Sequence, residues 1–281
     1  MKILLLGENG SLGKEFVNLF KKKKIKFDAI SRKKQKKRFT YQFFKKIIEK
    51  SKPDLILNCV ALTGLIYCEN KGKEAYEVNT NIPSYLMRAI KKKEIKFIHF
   101  STEAVFNGKK RGKIYSEKDK PKPTSIYGKS KLAADKKVLK SYNTLVIRLP
   151  MLYGPTHKNQ IISKLLIKLN KGEKIHVSND VFSTPVYTPD LCEFVYHNCI
   201  IKSNLFKNKL VHFTSSKKYS IYNFIKNLSK NFNTINPNQI VEVKDAFFGK
   251  NIKIKPKNLG LTSLYADCIN KINFKIAKKL I

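Results

Sequence analysis

The chain opens on a pattern that few folds can accommodate. Met1 to Leu6 reads as a strand whose core, Ile3-Leu4-Leu5-Leu6, is unbroken aliphatic, and it runs directly into Gly7-Glu8-Asn9-Gly10-Ser11-Leu12-Gly13. A helical period follows at once, with Phe16, Val17, Leu19 and Phe20 apolar and Lys14, Glu15 and Asn18 polar. A strand that does not alternate is covered on both faces, as in a parallel sheet. Strand, glycine turn and helix in that order open a dinucleotide-binding unit. The glycines let the backbone approach a pyrophosphate, and the helix N-terminus offers N–H groups and positive dipole. The spacing is G-x-x-G-x-x-G rather than G-x-G-x-x-G. Glycines after a strand are more often plain turns, so the rest of the chain must carry the argument.

The rest repeats the alternation. Ile25 to Ile30, Asp54 to Asn58, Ile95 to Phe100 and Thr144 to Arg148 read as further strands, with helical stretches over 41–50, from Lys71 to Lys92 and from Tyr127 onward. Strands separated by helices of this length predict an α/β fold, a doubly wound parallel sheet of Rossmann type. Beyond Pro150 the pattern loosens. Helices are expected over Asn159 to Asn170, Pro189 to Ile200, Tyr219 to Lys230 and from Asn273, with a short strand at Lys174 to Val177 and a further short piece at Leu210 to Phe213. This divides the chain into a dinucleotide-binding domain, 1–150, and a smaller α/β substrate lobe, 151–281, with some segments returning to the sheet.

The chemistry concentrates between Ser101 and Lys131. Ser101-Thr102 follows the fourth strand, and Tyr127-Gly128-Lys129-Ser130-Lys131 opens a helix that places Tyr127 and Lys131 on one face, one turn apart. An isolated phenol titrates near 10. A neighbouring ammonium is expected to lower that value towards the range where general acid–base catalysis works best. Thr102 could hydrogen-bond the oxygen that gains or loses the proton. Tyr-x-x-x-Lys also arises by chance in a lysine-rich chain, so its weight comes from the glycine turn.

After the second strand an NAD site usually carries an acid for the ribose hydroxyls. Here Ser31-Arg32-Lys33-Lys34 stands there instead. A hydroxyl and cations suit a 2′-phosphate, which favours NADPH. The same residues also suit a solvated lysine loop, and NADH stays open.

The formal charge of +38 raises nucleic acid as a partner. Against it, only five of the 58 basic residues are arginine (Arg32, Arg38, Arg88, Arg111, Arg148), and the lysines are spread along the chain. Phosphate recognition often enriches arginine, so the skew fits genome composition better. A positive field would still draw in a phosphate-bearing substrate. No apolar run is long enough to span a bilayer, and the apolar start leads into the glycine turn rather than a cleavage site. Five scattered cysteines without C-x-x-C spacing fit reduced thiols. A cytoplasmic protein with no membrane insertion is expected; a homodimer stays open.

Taken together, the chain resembles the dTDP-4-dehydrorhamnose reductase family of the extended short-chain dehydrogenase/reductase superfamily. The resemblance rests on Gly7, Gly10 and Gly13; on Ser101-Thr102 with Val105-Phe106 and Gly108; on Tyr115-Ser116-Glu117-Lys118-Asp119; and on Pro123 through Leu132. Weaker echoes are Asn79, Arg148 with Tyr153-Gly154, Asn159, Asp180 with Thr184-Pro185, and Pro256 with Leu261. It implies that Tyr127 protonates a 4-keto oxygen as hydride arrives from the nicotinamide, and that Lys131 lowers the phenol pKa and binds the nicotinamide ribose. It implies that Thr102, with Ser101, holds the sugar oxygen. Val60-Ala61-Leu62 and Asn79 would lie on the cofactor side, with Glu103, Met151, Asn159 and Thr184 on the substrate side. The implied substrate is a nucleotide-linked deoxysugar, in the synthesis of surface polysaccharide precursors. A 4-epimerase using the same residues and a non-catalytic sugar-nucleotide-binding paralogue stay open.

The chain departs from the family pattern. Glu103-Ala104 stands where the family has Asp-Tyr, Leu62 where it has Tyr, and Met151 where a Trp faces the sugar; the family's acid near Phe39-Thr40 is missing. These changes leave the hexose open. Dehydratase relatives carry adjacent Asp and Glu after the Thr; only Glu103 follows here, which argues against elimination. His99, inside a strand, reads as a satisfied core histidine, and His157 as a candidate phosphate contact. His176, His197 and His212 lack metal-ligand spacing, so no metal is expected.

Overall fold

The computed structural model describes residues 1–31, 39–91, 93–110, 114–157, 160–244 and 256–280. Its centre is strand β1, Ile3–Leu6, in which all four side chains are fully buried. Ile3 and Leu5 pack on one face with Phe16 and Phe20, and Leu4 and Leu6 on the other with Phe44 and Ile48. Each aliphatic side chain buried this way contributes about 1.5–3 kcal/mol, which is why the run cannot sit at a sheet edge.

The elements of the first half are α1 (Ser11–Lys22), β2 (Phe27–Ile30), α2 (Tyr41–Ser51), β3 (Leu55–Asn58), α3 (Leu65–Asn70), α4 (Gly72–Tyr76), α5 (Ile82–Ile90), β4 (Lys96–Thr102), α6 (Ile126–Val138) and β5 (Thr144–Leu149). Local chemistry sets several of their ends. Thr40 Oγ1 accepts from Phe43 N at 3.2 Å to start α2, and Lys52, at φ 43°, ends it. In the second half come β6 (Leu152–Tyr153), α7 (Ile161–Asn170), β7 (Ile175–Ser178), β8 (Phe182–Ser183), β9 (Val186–Tyr187), α8 (Thr188–Val195), β10 (Leu210–His212) and α9 (Ile221–Ser229).

Among the described residues six strands form one sheet in the order β10-β5-β4-β3-β1-β2, and each pairing in it is parallel. This is the expected doubly wound α/β architecture. The strand order reverses at β1, between β2 and β3, and ligands of such sheets bind at the carboxyl ends beside that switch point. Residues of α1 and α8 cover one face, and those of α2, α5 and the end of α6 cover the other. A further cluster, including Tyr153, Leu166, Val177, Phe224 and Leu228, binds α7, β7 and α9 into a smaller layer. No helix among the described residues is long and apolar enough to cross a membrane.

The stretch expected as one helix from Lys71 to Lys92 is interrupted. A π-helical turn, Glu77–Asn81, separates α4 from α5. The wider turn brings two side chains onto α6: Asn79 Nδ2 donates to Ser130 Oγ at 3.0 Å and Thr80 Oγ1 to Ser130 O at 2.7 Å. Such turns cluster at functional sites, and this one grips the helix that carries Tyr127 and Lys131. The helix expected over Pro189 to Ile200 likewise ends in a π-turn, Tyr196–Ile201. The closing helix is a 3₁₀ segment, Phe274–Lys279.

The loop before α6 is tied down from far along the chain. Glu117 accepts from His212 N at 2.7 Å, Ser263 Oγ at 2.6 Å and Leu264 N at 3.0 Å. Tyr115 N also donates to Gly260 O at 2.9 Å, and Thr262 N to Tyr115 O at 2.8 Å. At the start of α6, Gly128 passes so close to the Glu103–Val105 turn that a Cβ there would lie 2.1 Å from the Ala104 carbonyl oxygen. Gly128→Ala must push helix and turn apart, at a cost of about 1–3 kcal/mol or more. Urea unfolding is expected to show a lowered midpoint with an unchanged slope.

Candidate active site

The site assembles where the sheet's carboxyl edge meets α6. β4 ends at Thr102, whose Oγ1 accepts from Ala104 N at 3.1 Å and so starts the Glu103–Val105 3₁₀ turn. Ser125 caps α6 by accepting from Gly128 N at 3.1 Å, and Glu69 Oε1 accepts from Ile126 N at 2.7 Å. Both satisfy donors that a helix start leaves open, and the carboxylate also suits the dipole. One turn beyond Lys131, Asp135 meets Arg148 of β5 at 3.1 Å in a buried pair, 0% and 3% exposed, that pins α6 to the sheet. Pairs of this kind specify an arrangement more than they stabilise it.

Tyr127 and Thr102 line the same cavity. Lys131 is buried; its Nζ donates to Phe100 O at 2.5 Å and lies 3.3 Å from His99 Nε2. Burial pushes the Lys131 pKa down to about 8, partly offset by Asp135 and Cys59. Burial pushes the Tyr127 phenol up to about 12, against a lowering influence from the Thr102 side chain. Lowering of the phenol by Lys131, expected from the spacing, is therefore not what this geometry gives. Desolvation outweighs it, and the ammonium is turned to Phe100 and His99.

At the other end, Gly7 N donates to Ile30 O at 2.7 Å and Gly10 N to Gly7 O at 2.9 Å, folding the turn against β1. A Cβ on Gly13 would lie 2.1 Å from Gly7 O, so turn and helix touch backbone to backbone. No side chain among the described residues caps the N-terminus of α1, and Gly10, Ser11 and Leu12 at its start line a cavity. A cavity of about 590 Å³ runs from Gly10, Ser11 and Leu12 past Val60 and Ala61 to Ser101, Thr102, Glu103, Tyr127 and Lys131, and on to Met151. That volume lies within the range of ligand and cofactor sites. Two of its buried polar atoms, Ser101 Oγ and Glu103 Oε2, have no hydrogen-bond partner among the described residues. An uncapped helix start at one end and orphaned oxygens at the other fit a dinucleotide followed by a hydroxyl-rich ligand.

The remaining expected residues fall elsewhere. Gly7 and Gly13 shape the turn from behind. Ser31 lies beside it, accepting from Asn9 Nδ2 at 2.7 Å. Asn79 is fully buried and faces the backbone of Leu62, donating to its carbonyl at 3.0 Å and accepting from its N–H at 2.8 Å. Neither Asn79 nor Leu62 lines the cavity; the pair braces the loop that does. Thr184 is also withdrawn: its hydroxyl accepts from Thr214 Oγ1 at 2.7 Å and Leu261 N at 3.0 Å, which ties down the chain behind the substrate side. Arg32 and Asn159 lie outside the described residues.

Sequence reasoning missed several lining residues: Asn9, Asn58, Cys59, Gln160, Phe182 and Ser183. Asn9 and Cys59 adjoin motifs that were recognised, whereas Ser183 is brought in by tertiary packing. Its Oγ donates to Glu103 Oε1 at 2.8 Å. His157 lines the cavity and meets Thr188 Oγ1 at 2.9 Å, but burial lowers its pKa to about 4, so it brings no charge for a phosphate.

The fold and this site define a class, the NAD(P)-dependent oxidoreductases of the extended short-chain dehydrogenase/reductase superfamily. Within it, the model of the RmlD substrate binding domain matches residues 1–262, and the chain belongs to that family. It is 29% identical over 201 residues to the spore coat polysaccharide biosynthesis protein SpsK of Bacillus subtilis, covering 69% of this chain and 68% of that one. It is 31% identical over 182 residues to a dTDP-4-dehydrorhamnose reductase of Aggregatibacter actinomycetemcomitans, covering 63% and 61%. The crystal structure of a dTDP-4-dehydrorhamnose reductase from Clostridium acetobutylicum superposes with a TM-score of 0.85 at 25% identity, over 99% of this chain and 97% of that one. A Bacillus anthracis dTDP-4-dehydrorhamnose reductase in complex with NADP superposes at 0.80, also 25% identical, over 93% and 90%.

Glu103 gives a pH signature. Burial raises its pKa from 4.5 to about 8. Between those values the folded chain holds a proton that the unfolded chain has released, so the Glu103 contribution to stability falls as pH rises through this window. Glu103→Gln keeps the shape and removes the titration. Relative to wild type it is expected to gain on the order of a few kcal/mol between about pH 4.5 and 8. Thermal unfolding across that range checks this; parallel curves for the two proteins would place the proton elsewhere.

Proposed function

We infer that the chain reduces the 4-keto group of a nucleotide-linked deoxysugar with NADPH, as a dTDP-4-dehydrorhamnose reductase does. The observation that carries this reading is the convergence of Thr102, Tyr127 and Lys131 on one wall of a cavity whose other end is the glycine turn.

The nicotinamide, when bound, supplies the hydride that adds to the carbonyl carbon. The chain's part is to bind, orient and protonate. The α1 N-terminus and the Gly7–Gly13 turn hold the pyrophosphate. Ser31 and Arg32 favour the 2′-phosphate, and Lys131 takes the nicotinamide ribose. Tyr127 donates its hydroxyl proton to the ketone oxygen as that oxygen becomes an alkoxide. A phenol held near 12 is fully protonated at neutral pH, as an acid must be, yet is a far stronger acid than the alcohol formed. Thr102 keeps that oxygen in line, and Lys131, charged below about pH 8, brings a positive charge to the same cavity. Glu103, protonated at neutral pH, presents Oε2 to a sugar hydroxyl. The polysaccharide context is supported by the name of the Bacillus subtilis relative, and the nicotinamide dinucleotide by the NADP complex of the Bacillus anthracis protein.

Oxidation of NADPH against a panel of nucleotide-linked 4-keto sugars tests the reading. Tyr127→Phe is expected to lower kcat by about 10²–10⁴-fold while NADPH still binds; an undiminished rate would remove Tyr127 from the mechanism. NADPH is expected to outperform NADH, with the preference weakened in Arg32→Ala, and kcat/KM for the two cofactors measures it.

A further inference from the structure

Behind Lys131 lies a row of buried side chains that the reaction as derived does not use. Asn58, at the end of β3, is 1% exposed, and His99, in β4, is fully buried. Val60 N donates to Asn58 Oδ1 at 3.2 Å, which leaves the amide nitrogen, Nδ2, facing His99 Nδ1 at 3.1 Å. An amide NH₂ can only donate, so Nδ1 accepts and the ring proton sits on Nε2. That nitrogen lies 3.3 Å from Lys131 Nζ, which donates to Phe100 O on its other side.

An Nε2–H facing an ammonium sets donor against donor. Relief requires the ring proton to move to Nδ1, and Asn58 must then turn its oxygen to the ring and its NH₂ to Val60 N–H. Either arrangement leaves one buried N–H facing another donor. A neutral amine meets no such conflict, because it accepts from Nε2–H and donates to Phe100 O. The other groups facing Lys131 are Asp135, already engaged by Arg148, the neutral Cys59 thiol and the neutral Tyr127 phenol. Burial holds the imidazole itself neutral.

We propose that His99, its tautomer locked by Asn58 and the Val60 N–H, is a positioning residue that fixes Lys131 Nζ and weakens its hold on its proton. It thereby sets the alkaline limit of the site. This rests on the reductase reading only for its effect on turnover. It also makes the loop that flanks the cofactor site, through Val60, part of what controls the charge on Lys131.

The test begins with the unliganded protein labelled with [¹⁵N]histidine, where His99→Gln assigns the His99 signals. The expected spectrum is a neutral Nε2–H ring from pH 6 to 9. An Nδ1–H ring, or one titrating near the ordinary value of about 6.5, overturns the proposal whatever the enzyme reduces. In His99→Leu the donor is gone, and in His99→Gln the amide oxygen can turn to Nζ. In either variant the alkaline limb of kcat/KM for NADPH, and of NADP⁺ affinity, is expected to rise by about one pH unit or more, a tenfold change in proton affinity. An unmoved limb in a folded variant overturns it as well. A chain that turns over no nucleotide sugar, yet shows the Nε2–H ring and the shifted limb in NADP⁺ affinity, upholds the proposal and removes the reductase reading.

Discussion

Burial of β1 on both faces is the constraint on which everything else depends. A strand with aliphatic side chains on both sides needs a covering layer above and below, and parallel neighbours can be reached only by crossing over through those layers. Every β-to-α connection then leaves the sheet at the same edge. The turn after Gly7, the segment from Cys59 to Ala61, the Thr102 turn and the segment after Leu149 come from four different strands, yet all reach one cavity. The site follows from the topology before any of its residues is chosen.

Within the cavity, desolvation sets the charges. It holds the Tyr127 phenol and the Glu103 carboxyl in their protonated forms and loosens the proton on Lys131. Such a site has little net charge of its own, although the chain around it carries +38. The surface field can draw an anionic ligand inward, while the interior handles protons one at a time.

How much of this was legible depended on how local each signal was. The five strands of the first half show as apolar runs, because a strand covered on both faces writes its burial into consecutive residues. The Thr102, Tyr127 and Lys131 cluster is readable because helical spacing and a strand end are both short-range features. The π-turn at Glu77–Asn81 was hidden, since a turn widened by one residue keeps the apolar rhythm of a helix. Leu210 to Phe213 stands out as a short piece, but nothing local makes its first three residues a strand beside β5. Asn79 and Thr184 carry the right chemistry for ligand contact and are spent on backbone instead. His99 reads as a satisfied core histidine and is one, but its partners are Asn58, which the pairing of β3 with β4 sets beside it, and Lys131 of α6, which only tertiary packing brings there.

The fastening of Glu117 bears on how the molecule comes into being. Its three partners, at 212, 263 and 264, are all translated long after the loop they hold. The approach to Tyr127 is thus fastened by residues that lie 95 to 147 positions further along the chain.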